Sequence, residues 1–345
     1  MSTTMSTKGR FELTRDDKPI AIAALFILVI LVAGTIYTLS RYGSMPLLTP
    51  TYLIQQLQIG SYLGIIAAGM MLVILISQID LSVPWTLAAG AMMATAIGGP
   101  WALPVALLVG VIVGIVNGFG VAVLRIPSMI FTLGVNAVMR GLMVAQTGGF
   151  APQTKATDLM RFLAAERTLG IPHAIFVWIL ISIGMVILLK KTAFGRSIYA
   201  IGNKEAAAYL SGVPTKRVMF IAFILCSTLS SFAGLLLAGY STKAYQGMGD
   251  AYVLPAIAAV VIGGTNILGG RGRYLGTIVG VTQSDVKRML AYSSVAHAGF
   301  LTLAIIAASQ HGLKASLFYL ATYGITTVGT FAVVSLVRDA TEIGR

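Results

Sequence analysis

From residue 19 to residue 281 the chain alternates long apolar runs with short polar breaks, most of them basic, and nothing else in it restricts folding so strongly. The runs cover residues 19–39, 52–76, 85–97, 101–124, 127–147, 172–189, 218–240 and 252–268. Most approach the ~20 residues with which an α-helix crosses about 30 Å of hydrocarbon. Backbone N–H and C=O groups find no water to bond in lipid, so such runs pair their own backbone as helices. With 57% hydrophobic residues, 10% charged residues and a mean hydropathy of +0.88, a water-soluble fold would lack the polar surface to cover its core. The expected fold class is therefore all-α: a polytopic membrane helix bundle of about eight to ten transmembrane helices, some of them broken.

Charge orients the bundle, because short cytoplasmic loops carry an excess of Lys and Arg. Residues 1–18 are polar, with Lys8, Arg10, Arg15 and Lys18. The run that follows is longer than a signal-peptide core and leads to no small-residue cleavage site, so the tail is expected inside and residues 19–39 are expected to span. Residues 148–171 set Lys155, Arg161 and Arg167 against Asp158 and Glu166 and read as a mixed loop on the outer face. Residues 190–217 hold six basic residues, Lys190, Lys191, Arg196, Lys204, Lys216 and Arg217, against one acid, Glu205, and read as a cytoplasmic loop. Within it Asn203 and Lys204, followed by Glu205, Ala206, Ala207 and Ala208, predict a short helix that Gly212 and Pro214 stop. The net charge of +13 lies in these clusters beside apolar runs, so nucleic acid is not expected as a partner. Cys226 alone forms no internal disulfide, and His173, His297 and His311 lack ligand spacing, so no metal site is expected.

Polar residues interrupt the apolar runs at a few points. Residues 77–82, Ser-Gln-Ile-Asp-Leu-Ser, place Gln78, Asp80 and Ser82 between two apolar segments. Either protein shields this break beside a wet cavity, or it is an interfacial turn. Arg140 is either an intramembrane charge or a side chain that snorkels from a helix end. Asn136, Arg140 and Asn266 join Gln78, Asp80 and Ser82 as candidates for a solute path. Gly110, Gly114 and Gly118 stand at the small-xxx-small spacing that lets helices approach closely. The glycines from 263 to 272 permit a non-helical break but lack the Gly-Lys-Ser/Thr ending of a phosphate-binding loop.

Several words in fixed order resemble the ribose/xylose-type sugar permeases of bacterial ABC importers. They are Gly69-Met70 with Ile79-Asp80-Leu81-Ser82-Val83; Phe131-Thr132-Leu133-Gly134 with Arg140-Gly141 and Thr147-Gly148-Gly149; and Gly195-Arg196, Tyr199-Ala200-Ile201-Gly202, Glu205-Ala206-Ala207 and Leu210-Ser211-Gly212. The run from Ala256 to Thr265, Gly269-Gly270-Arg271-Gly272 and Gly276-Thr277 complete the likeness. Ser77-Gln78 stands where the family has paired glycines, and Pro84-Trp85 follows the valine. The resemblance covers about residues 20–280 and implies a permease domain at 19–280 that carries a monosaccharide. It implies that the loop at 190–217 seats in a separate ABC ATPase subunit through Gly195, Arg196, Glu205, Ala206, Ala207 and Gly212. The chain itself would be no enzyme and bind no cofactor. The partners it implies are that ATPase, a periplasmic sugar-binding protein, a second permease protomer and the lipid bilayer, in the bacterial inner membrane.

From Thr282 the resemblance changes. The word from Asp285 to Gly299, then Leu317-Phe318-Tyr319-Leu320 and the run from Gly329 to Val334, resemble the N subunit of bacterial proton-pumping NADH:quinone oxidoreductase. Residues 275–281 are too short to span and lead into Gln283, Asp285, Lys287 and Arg288, with two further runs at 289–308 and 313–337. Residues 281–345 read as a two-helix tail, and the chain as a chimera. In the pump family Lys287 and His297 would belong to a proton path, but that role needs buried partners on other helices, and Lys287 also reads as an inside-facing anchor. Three readings stay open: sugar permease, fragment of a proton-translocating redox subunit, or an inactive fusion of the two.

Overall fold

The computed structural model describes residues 49–149 and 155–281, with positions 32, 35, 36 and 39 of the first apolar run and position 40 after it. The expectations for the tail at 1–18, for most of 19–39 and for 282–345, Lys287 and His297 included, lie outside the described residues.

Helix α1, Pro50–Leu75, opens with Thr49, whose hydroxyl accepts from the Tyr52 N–H at 3.4 Å, and with Pro50 in the first turn where no N–H is needed. It is apolar on every side, and from Ser61 onward nearly every residue is buried, as befits a helix enclosed by others. The chain then breaks and resumes as α2, Val83–Ile97. A 3-10 turn, Gly99–Trp101, leads into α3, Ala102–Gly118, which widens into a π turn at Phe119–Val123. Helix α4 is Ser128–Thr147. Four long helices and the combined span Gly99–Val123 make the five described segments long and apolar enough to cross a membrane: α1, Gly99–Val123, α4, and two that follow, His173–Lys191 (α6) and Thr215–Ser241 (α9).

The core is α9 enclosed by α1, α2 and α3. Its contact with α3 is the small-residue stripe expected from sequence. A Cβ built on Gly114 would overlap Ile224, and one on Gly110 would reach 2.5 Å from Thr228 Cα, so both helices meet backbone to backbone. By contrast α4 and α6 bury few residues and turn most of their side chains outward.

Two regions read as loops are more ordered than their composition suggests. Residues 155–172 contain α5, Asp158–Ala164, and a small antiparallel ladder of Arg167–Thr168 (β1) with Ile171–Pro172 (β2). Thr157 caps α5 by accepting from the Met160 N–H at 3.3 Å. The Ala164 carbonyl accepts from Gln58 Nε2 and from the Tyr62 hydroxyl, each at 2.9 Å, which clamps this end onto α1. The basic island holds two helices where one was expected: α7, Ala193–Asn203, and α8, Glu205–Leu210. Thr192, whose hydroxyl accepts from the Gly195 N–H at 3.1 Å, supplies the unforeseen start of α7. The chain closes its described part with α10, Val253–Ile262, a glycine-rich turn, and α11, Tyr274–Val281.

Candidate functional site

The break between α1 and α2 is shielded by protein, which decides between the two readings of residues 77–82. Asp80 and Ser82 are fully buried, and Ser77 takes a positive φ of 61° where α1 ends. A chain that leaves the helix at this depth frees N–H groups that must find acceptors. They find them on α4. The Ile79 N–H donates to Ser128 Oγ at 3.2 Å, the Leu81 N–H to Thr132 Oγ1 at 2.9 Å, and the Trp85 N–H to Asn136 Oδ1 at 3.3 Å. Ser128, Thr132 and Asn136 recur at i, i+4 and i+8, so one face of α4 is a ladder of acceptors beside the unwound strand of chain.

On its other side the break carries a polar cluster. Asp80 Oδ1 accepts from the Ser82 N–H at 2.9 Å and from the Ser82 hydroxyl at 2.6 Å. Asn117 Nδ2, from the C-terminal end of α3, donates to Ser82 Oγ at 2.7 Å and reaches both Asp80 oxygens at 3.4 Å. Ser227 of α9 donates to Asp80 Oδ2 at 3.4 Å. Ser82, Asn117 and Ser227 are all neutral donors, and a buried carboxylate is tolerated only where such bonds replace water. Asn117 Oδ1, also buried, has no partner among the described residues, so the cluster keeps unused hydrogen-bonding capacity.

The remaining path candidates divide. Asn136 belongs to the α4 ladder, and Arg140, one turn further, lies with its guanidinium 5.8 Å from the Trp85 ring centroid, an exposed cation over a largely buried aromatic. Gln78 is half-buried at the inner end of the break. Asn266 sits outside the cluster: its Oδ1 accepts from the Leu268 N–H at 3.0 Å and its N–H bonds the Arg271 carbonyl at 2.8 Å, so it shapes the exposed turn after α10. Sequence reasoning missed Asn117, Ser128 and Ser227. The four-residue recurrence of polar residues on an apolar run was the available signal for Ser128.

Helix α7 and the turn after α10 pack on the end of α1 where the break begins. A Cβ on Gly202 would overlap the Leu75 carbonyl at the end of α1, and Gly270 donates its N–H to that same carbonyl at 2.9 Å. Ser77 Oγ bonds the Leu268 carbonyl at 2.6 Å, and the Tyr199 hydroxyl of α7 bonds the Gly272 carbonyl at 2.8 Å. Burial raises the Tyr199 phenol, with Arg273 acting the other way, so it stays a donor at neutral pH. Gly195, expected at the coupling surface, is buried, and a Cβ there would overlap the Leu188 and Leu189 carbonyls, so it packs α7 on the end of α6. Arg196 is exposed one residue on. The Glu205 carboxylate is paired with Arg125 in the loop between α3 and α4, so it holds α8 to the bundle. Ala206, Ala207 and Gly212 are exposed, beside Tyr209 and Leu210 with 67% and 84% of their surface free.

Comparisons with known proteins identify the family. The family described as branched-chain amino acid transport system, permease component, matches residues 52–309. The chain is similar to the ribose import permease protein RbsC of Escherichia coli strain K12, 34% identical over 291 residues, which covers 81% of this chain and 87% of that protein. It is 35% identical over 267 residues to the RbsC of Haemophilus influenzae, with 73% and 83% covered. To the autoinducer 2 import system permease protein LsrC of Shigella flexneri it is 33% identical over 297 residues, with 83% and 85% covered. No solved structure matches.

Proposed function

The chain belongs to the family of branched-chain amino acid transport system permease components, and from that premise we propose that it is the membrane subunit of an ABC importer for a monosaccharide of the ribose/xylose kind. It is a multi-pass membrane protein and not itself an enzyme, and ATP hydrolysis belongs to a separate subunit. The partners are that ATPase and a substrate-binding protein; a second permease protomer and a place in the bacterial inner membrane complete the proposal.

One observation carries it: the buried polar break at Asp80 and the exposed helix pair α7–α8 share the end of α1, through Gly202, Gly270 and the Leu75 carbonyl. A sugar offers hydroxyls that both donate and accept, and Asp80, Ser82, Asn117 and Ser227 offer the matching groups. Arg140 over Trp85, with Asn136 below it, extends the polar lining along α4. The ATPase would hold α8 by Ala206, Ala207, Tyr209, Leu210 and Gly212, with Arg196 on its flank. Movement of α8 would reach the break by two routes, through Gly202 to Leu75 and through the Glu205–Arg125 pair to the base of α4. ATP-driven alternation between inward- and outward-facing states would then open and close the cluster.

The family match runs on to residue 309, past the point at 282 where the second resemblance begins. The pump and chimera readings rest on the sequence words of the tail alone, so we favour the permease reading. The test is uptake of labelled ribose or xylose into proteoliposomes that hold this chain, its ATPase and the binding protein outside the vesicle. ATP-dependent accumulation is expected, and its absence for every monosaccharide offered would refute the sugar assignment.

A further inference from the structure

Helices α6 and α11 leave a groove of about 340 Å³ between them, lined by Trp178, Ile179, Ile183, Ile187, Leu275 and Ile278. The Ser182 and Tyr274 hydroxyls at its wall bond one another at 3.1 Å and the Trp178 Nε1 is buried against Gly64, so the surface offered is apolar. Ile179, Ile183 and Ile187 follow one face of α6, each about half exposed at 46%, 53% and 52%. From Trp178 to Ile187 the groove runs about 13 Å along the helix axis, long and narrow rather than round.

Its inner end is strongly positive. Lys190 and Lys191 stand three and four residues beyond Ile187, on the same helical face, and both are exposed. Exposed Arg271 and Arg273 lead directly into α11 on the opposite wall. Among the described residues neither helix, nor the turn at 268–273, carries an Asp or Glu.

We propose that this groove is a binding site for an anionic phospholipid of the cytoplasmic leaflet, one acyl chain lying along Ile179, Ile183 and Ile187 and the headgroup phosphate held by Lys190, Lys191 and Arg271. An apolar trough ending in cations at the interface matches the two parts of such a lipid, whereas a zwitterionic lipid gains little from the rim. The site stands apart from the Asp80 cluster and requires only that the chain lie in a bilayer with the Lys190 end inward. Because Tyr199 of α7 bonds the Gly272 carbonyl, in the turn that carries Arg271 and Arg273, a bound headgroup would brace the base of α7.

Trp178 reports on the groove. The full chain with Trp85→Phe and Trp101→Phe keeps it as the single tryptophan, and the probes are phosphatidylglycerol or phosphatidylcholine brominated on the acyl chain, diluted into phosphatidylcholine vesicles. Quenching by brominated phosphatidylglycerol is expected at a mole fraction several-fold lower than for the brominated phosphatidylcholine. Each of Lys190→Gln and Lys191→Gln should weaken that preference by about fivefold, the size expected for one basic side chain at an anionic surface. Equal quenching by the two lipids would overturn the proposal in favour of unselective boundary lipid. No quenching by either would overturn it in favour of a groove filled by protein, from this chain or a second copy. Should the single-tryptophan chain fail to insert, native mass spectrometry of the unaltered chain and of Lys190→Gln/Lys191→Gln decides the same point by the number of phosphatidylglycerol molecules retained: more on the unaltered chain supports the site, equal numbers refute it.

Discussion

Replacing Thr132 with valine tests whether α4 serves as a ladder of acceptors for the broken segment. Thr132 is fully buried, its Oγ1 accepts the Leu81 N–H at 2.9 Å, and its own hydrogen goes to the Ser128 carbonyl at 2.8 Å. Valine keeps the shape and removes the acceptor, and the half-buried Leu81 N–H has no helical carbonyl to return to. Leaving such a donor unpaired costs about 1–3 kcal/mol. Thr132→Ser is the control: it keeps the hydroxyl and loses one buried methyl, worth about 0.8 kcal/mol. At roughly 2–4 °C per kcal/mol for a domain of this order of size, Thr132→Val should lower the apparent Tm by about 2–12 °C. Thermal unfolding followed by size-exclusion chromatography in detergent measures it, and Thr132→Ser should fall by no more than about 2–4 °C. If valine were tolerated as well as serine, the ladder would not hold the break, and the shielding of Asp80 would need another cause.

Asp80→Asn should lower ATP-driven uptake by at least tenfold while insertion and yield stay near normal, because asparagine keeps an oxygen to accept from the Ser82 N–H and hydroxyl; parallel loss of both would mean that the carboxylate only holds the fold. Ala207→Asp, on the exposed face of α8, should abolish co-purification of the ATPase with the chain still inserted, and unchanged co-purification would place the docking surface elsewhere. Gly114→Val should prevent accumulation of folded protein, since a Cβ there overlaps Ile224 of α9, whereas Gly184→Val, where a Cβ meets nothing within 4 Å, should be recovered in good yield; overpacking of this kind costs about 1–3 kcal/mol or more.

What the order of residues determined is whatever depends on solvent and on local spacing. Apolar runs of spanning length can only pair their own backbone in lipid, so the helical class follows directly, and the Lys and Arg clusters give the orientation to expect. The spacing of Gly110, Gly114 and Gly118 announced a close helix contact, and Ala206, Ala207 and Gly212 were expected in a short helix and its stop. Even so, Thr192 and Thr157 were overlooked as caps because they lie in charged segments that read as loops.

Tertiary structure alone decided which partner each of these features meets. The glycine stripe of α3 lies against α9, and nothing local to it names that helix. Asp80 could equally have been an interfacial residue until Asn117 from α3 and Ser227 from α9 were seen to converge on it across separations of 37 and 147 residues. Glu205, expected in a docking face, is also tied to Arg125, while Gly195, expected beside it, is buried where α7 packs on the end of α6. Sequence shows which groups are costly to leave unpaired in lipid; which distant segment supplies the partner is fixed only when the helices pack, because that choice is made by shape between surfaces far apart in the chain.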